Sequence, residues 1–224
     1  MTGAEFVEQL KTENEELLAR IDAPAVDRIG SERVADTENR NILAALMKMA
    51  LKNEMEAAEI AAEWVATTPE LDAKVALARH AGDEARHYEL VEARARGMDV
   101  ALDGFNPLDP PSPVLRYLRT LGTTVERIAA ALVAREAMGG RRNVQFLAYL
   151  ETAGQCELAT LYREIINPDE ERHHRSGCAL LARLANTPAK QEEARRAARG
   201  LLETGDRVRA AALEQTGAPV IPGC

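Results

Sequence analysis

The chain has 224 residues, a net charge of -8 and only 4% aromatic residues, enough for one large domain with a substantial core, and rich in the Ala and Leu that favour helices. The acidic balance argues against broad binding to phosphate backbones, leaving local patches such as Arg141-Arg142 and Arg195-Arg196 that read as solvated helix faces. Cys156, Cys178 and Cys224 form no disulfide or zinc pattern, and neither a signal core nor an apolar run of ~18 residues occurs, so a cytoplasmic protein without a membrane segment is expected.

Residues 1–36 read as a short helix, about Ala4 to Ile21, and a linker with Pro24, Gly30 and Ser31. The helix has Phe6, Leu10 and Leu17-Leu18 on one face and is expected to pack on the outside of the main body. That body, residues 37–186, should open with a helix capped by Asp36 or Thr37 and running to Thr67. Its inner stripe is Leu43, Met47, Ala50, Glu54, Ala57-Ala58, Ala61 and Val65, whereas Glu56, Glu59 and Glu63 share the opposite face with Lys48 and Lys52. An acid in the middle of an apolar stripe is normally paired, hydrogen-bonded or bound to a metal. Glu54 is therefore either a ligand or the partner of a cation on a neighbouring helix.

The second helix should start at Thr68-Pro69-Glu70, with Thr68 as cap, and run to Gly97. Its inner face carries Leu77, His80, Glu84, His87 and Val91. Glu54 and Glu84 each lie 15 residues from Pro69, so a helical hairpin brings them to the same height. From Gly97 to Pro113 no helical period survives, and a connection of this length predicts a crossover that sets the third helix parallel to the second.

The third helix is expected from Pro113 to Glu151, with Leu118, Val125, Ala129, Leu132, Glu136, Gly140, Asn143 and Leu147 inward. Glu136 again takes a core position. Gly139-Gly140, one turn on, either makes room for dioxygen or a substrate or serves a bend or a close helix contact. A fourth helix, Gln155 to Asn186, contains Pro168, whose missing donor can shift the helical phase by one residue. Two ligand registers compete here, Glu170 with His173 and Glu171 with His174, and the first matches the earlier copy. Residues 187–224 form a charged, Ala-rich fifth helix and a tail.

Asp83-Glu84-Ala85-Arg86-His87 returns 86 residues later as Asp169-Glu170-Glu171-Arg172-His173, and all four histidines lie in or beside these copies. Glu and His three apart on a helix share a face and can reach one metal ion. A Glu from each of two helices with a Glu-x-x-His from each of two others is the donor plan of ferritin-like di-metal carboxylate proteins. The expected fold is therefore all-α, a ferritin-like four-helix bundle with a long crossover between helices 2 and 3 and an extra helix at each terminus. Glu54, Glu84, His87, Glu136, Glu170 and His173 would bind two iron ions, with manganese as the alternative. Asp83 and Asp169 are candidate outer partners, each for the His across the site.

The spans Ala78 to Tyr88, Ala134-Arg135-Glu136-Ala137, and Leu161-Tyr162-Arg163 to His173 resemble the ferritin-like tRNA hydroxylases that act on methylthio-isopentenyl-adenosine, over roughly residues 40–185. The likeness implies a non-haem di-iron monooxygenase with the six ligands above; the sequence departs from it in both terminal extensions, near Asn167-Pro168 and in its acidic balance. A wider resemblance extends to di-iron N-oxygenases, some of which place a further His one turn before a Glu-x-x-His, where His80 stands. The expected activity is oxidation of an organic substrate by dioxygen, with substrate held beside Ala81, Tyr88 and Gly140. No flavin, nicotinamide or iron-sulfur motif occurs, so a reductase or ferredoxin must supply electrons. The acidic charge disfavours tRNA as a partner, and a monomer or small homo-oligomer is expected. The rival reading is a ferroxidase or iron-handling protein.

Overall fold

The computed structural model describes residues 1–22 and 36–223. The linker with Pro24, Gly30 and Ser31, the side chains of the two candidate caps Asp36 and Thr37, and Cys224 lie outside the described residues. Among the described residues the chain is all helical with no strand. The helices are α1 (Gly3–Asp22), α2 (Asp36–Thr67), α3 (Leu71–Gly97), α4 (Pro113–Leu118), α5 (124–152), α6 (156–184) and α7 (Pro188–Thr216). Both α5 and α6 contain a widened π-helical stretch, Ile128–Arg135 in the first and Tyr162–Ile166 in the second. No described helix is long and apolar enough to cross a membrane.

The core divides into two apolar clusters. The first gathers Ile60 and Trp64 of α2, Ala73 and Leu77 of α3, Val125 and Ile128 to Ala134 of α5, and Leu180-Leu181 of α6. The second gathers Leu43, Leu46 and Met47 of α2, Val91 and Ala95 of α3, Phe146 and Leu150 of α5, and Leu158, Leu161, Tyr162 and Ile166 of α6. Read along the chain, α2 and α6 run from the second cluster to the first, and α3 and α5 run the other way. The crossover thus carries the chain back so that α5 lies parallel to α3. It is tied down on α2, where Lys52 Nζ donates to Pro107 O and Pro110 O, each at 2.7 Å, and Glu56 Oε1 accepts from Ser112 N at 2.7 Å. Glu56, expected among solvated acids, is therefore buried.

Two other expectations change. The second main helix begins at Leu71 rather than Thr68, because Thr68 is buried and Glu70 accepts a 2.6 Å hydrogen bond from Thr124 Oγ1 across the junction. The third helix does not run unbroken from Pro113. It stops at Leu118 and restarts at Thr124, where Thr123 and Glu126 form a capping box and Glu126 also accepts from Gly122 N at 3.0 Å. This nucleus competes with helix continuation, and the chain takes the turn. Helix α1 packs against α6 and α7, and α7 against the π stretch of α5 and α4, with Phe6, Leu10, Ala194, Ala198 and Leu201 buried in the first cluster.

At Gly177 α6 comes so close to α5 that an added Cβ would lie 2.5 Å from Leu132 Cβ and 2.7 Å from its carbonyl oxygen. Neither atom can swing aside. Gly177→Ala should cost about 1–3 kcal/mol of stability through overpacking, read as a lowered melting temperature; an unchanged one would show that the helices are looser than described.

Candidate metal centre

Between the two apolar clusters lies a layer of seven buried ionisable side chains: Glu54 of α2, His80, Glu84 and His87 of α3, Glu136 of α5, and Glu170 and His173 of α6. Helical spacing puts them there, since 80, 84 and 87 share one stripe of α3 and 170 and 173 lie one turn apart on α6. Each π stretch widens the helix shortly before a layer residue, one ending next to Glu136 and the other just before Asn167-Pro168.

The layer resolves into two groups, His80, Glu84, Glu136 and His173, and Glu54, Glu84, His87 and Glu170, in each of which one potential ligand atom per residue lies within 4.8 Å of the others. Glu84 belongs to both. Its Oε1 faces His80 Nδ1 at 3.4 Å and His173 Nδ1 at 3.3 Å, while its Oε2 faces His87 Nδ1 at 3.5 Å. His87 Nδ1 also approaches Glu54 Oε2 at 3.6 Å and Glu170 Oε1 at 3.8 Å, and His80 Nε2 lies 3.6 Å from Glu136 Oε1.

Two carboxylates orient the imidazoles from outside. His87 Nε2 meets Asp169 Oδ2 at 3.1 Å and His173 Nε2 meets Asp83 Oδ2 at 2.9 Å, so each His is held by the aspartate of the opposite copy. A carboxylate acceptor holds the proton on Nε2 and turns Nδ1 into the layer. Arg172 joins the two, reaching Asp83 at 2.9 Å and also bonding Asp169. The competing register points elsewhere: Glu171 is exposed and pairs with Arg175, and His174 Nδ1 meets Val133 O at 3.1 Å.

The layer is crowded with acids and imidazoles that few hydrogen bonds satisfy. Both oxygens of Glu54 and Glu170, Glu136 Oε2, both nitrogens of His80, and Nδ1 of His87 and His173 have no hydrogen-bond partner. Burial pushes Glu54 and Glu136 well above the ordinary carboxyl range and raises Glu170, with neighbouring carboxylates adding to each. Burial would raise Glu84 too, but the imidazoles around it, His80 foremost, hold it well below that range. Burial lowers His80 to about 3, while Glu54 and Glu84 overcome burial and lift His87 to about 11. Four carboxylates and three imidazoles suit two hard-to-borderline divalent cations, whose combined charge matches the acids.

A cleft of about 960 Å³ between α3 and α6 reaches His80 and His173, and hence only one of the two groups. Its walls are Val75, Ala76, Leu132, Ala179 and Leu180. The substrate position expected at Ala81, Tyr88 and Gly140 differs from this: Ala81 packs on the first apolar cluster, Tyr88 on the second, and none of the three lines the cleft. The C-terminal tail packs on the Gly139 carbonyl, where Gly223 N donates to Asn143 Oδ1 at 2.8 Å and a Cβ on Gly223 would come within 2.1 Å of Gly139 O, whereas a Cβ on Gly140 would meet nothing within 4 Å. Sequence reasoning left His80 among the alternatives, although its place four residues before Glu84 on one face was the available signal. It missed the cleft, which depends on how α3 meets α6.

Because Glu84 serves both groups, Glu84→Gln should weaken binding of both cations by at least the ~10–100-fold that loss of an outer partner costs, whereas Glu54→Gln should weaken one. Titration with manganese reads this as two affected sites against one; equal behaviour of the variants would contradict a shared carboxylate. The raised carboxyls and His87 hold protons that a cation must displace, so affinity should climb as pH rises toward the value of about 11 to which His87 is lifted, and calorimetry in buffers of different ionisation enthalpy should show proton release. Binding without proton release would oppose this assignment. No family model, characterised protein or solved structure matches the chain.

Proposed function

We propose that the chain is a non-haem di-iron oxygenase of the ferritin-like type, which hydroxylates or otherwise oxidises an organic substrate with dioxygen. The observation that carries this reading is the pair of buried donor groups sharing Glu84, one of them open to a cleft large enough for an organic molecule. The helix directions support it as well, since α2 and α6 run against α3 and α5 as the ferritin-like plan requires. Iron bound by these residues would supply reductive activation of dioxygen.

The chain's own residues supply the setting. The two apolar clusters exclude water from both faces of the layer. Asp83 and Asp169 hold the Nε2 protons of His173 and His87, and Arg172 keeps both aspartates in place. The cleft presents a substrate to the His80 and His173 side only. In net terms a C–H bond becomes C–OH and the second oxygen atom leaves as water, which consumes two electrons and two protons. A reductase or ferredoxin is the proposed electron source.

Anaerobic loading with ferrous iron followed by oxygen tests the reading. The expected result is two irons per chain in a small assembly, with oxygen consumption that continues only while reductant and an organic substrate are supplied. Stoichiometric oxidation of excess ferrous iron with mineral deposition in a large cage would assign the chain to iron handling instead.

A further inference from the structure

We infer that the cleft between α3 and α6 binds an aliphatic carboxylate, with the acid on Arg79 and the hydrocarbon chain against Val75, Ala76, Ala179 and Leu180. The facing stripes are 72, 75, 76, 79, 80 and 83 on α3, and 172, 173, 176, 179, 180 and 183 on α6. Two cross-helix ion pairs close the ends, Asp83 with Arg172 at 2.9 Å on the donor side and Asp72 with Arg183 about three turns away. Eleven residues of α3 separate these pairs, a groove roughly 16 Å long.

Inside that frame the walls are apolar and partly uncovered. Among the described residues only four large apolar side chains are exposed, and two of them, Leu71 at 74% and Val75 at 40%, lie at this cleft. The charges are unbalanced in one place. Arg172 and Arg183 are spent on aspartates, but Arg79 has no ion pair or hydrogen bond among the described residues. Ser176 faces it across the groove by the register that the two ion pairs set. A long apolar groove with one uncommitted guanidinium fits a chain molecule with one negative end, since Arg recognises carboxylate bidentately. The buried His80, whose two ring nitrogens lack hydrogen-bond partners, lies at the groove's inner end. The carboxylate end of a bound chain would thus lie nearest the donors, with the hydrocarbon running away from them toward Asp72 and Arg183.

The inference deepens the oxygenase reading and rests on it for the meaning of the site, though not for binding. Decanoate titrated calorimetrically into the full chain, both metal-free and loaded with manganese, should bind saturably. Decanol should bind at least tenfold more weakly, as should decanoate to Arg79→Ala and to Val75→Glu, with Arg79→Lys in between. Arg175→Ala, on the exposed face of α6, should match the unaltered chain. Equal affinity of decanol and decanoate, indifference to Arg79→Ala, or no saturable binding would overturn the inference. Two bound metals without decanoate binding would remove it and leave the oxygenase reading; decanoate binding without metal uptake would do the reverse.

Discussion

Four buried carboxylates and three buried imidazoles face one another in a layer with apolar clusters above and below, and the rest of the molecule is arranged around that expense. A charge taken out of water costs several kcal/mol even after relaxation. Hydrogen bonds do not offset it here, because most of the inward-facing atoms have none. The metal-free chain can relieve the strain only by sharing protons, which is why Glu54, Glu136 and Glu170 shift upward while Glu84, ringed by imidazoles, shifts down. Cations would stabilise the same atoms without protons, so folding and metal binding would be thermodynamically linked.

Holding such a layer requires rigid placement from four helices at once. The crossover secures the direction of α5, and its attachment to Lys52 and Glu56 keeps it against the helix that carries Glu54. The π stretches set the rotational phase at Glu136 and Glu170. Close approach at Gly177 brings α6 onto α5, and Arg172 ties α3 to α6 at the edge of the layer. Remote features thereby fix distances inside the site.

Much of this was legible in the sequence because it depends on local spacing. An acid inside an apolar stripe marked the inward positions of Glu54 and Glu136, the hairpin arithmetic about Pro69 set Glu54 level with Glu84, and the length of the connection after Gly97 implied a parallel α5. What escaped depends on competition or on contacts distant in sequence. The break at Gly122 arises because a capping box outbids helical continuation, and periodicity cannot weigh the two. Glu56 looks solvated until the crossover lies on it, and the contact of the tail with the Gly139 carbonyl joins residues some eighty positions apart. The cleft belongs to the meeting of α3 and α6, which neither stripe encodes alone.

The internal repeat is imperfect at one telling place. His80 stands four residues before Glu84, and the corresponding position in the second copy is Ile166, a fully buried aliphatic residue of the second cluster. One group consequently holds three carboxylates and one imidazole, the other two of each. Cations entering such a pair would meet unequal fields, so filling would be sequential: the position near Glu54, with its third carboxylate, would be occupied first, and the position bordering the cleft would be the one that exchanges with its surroundings.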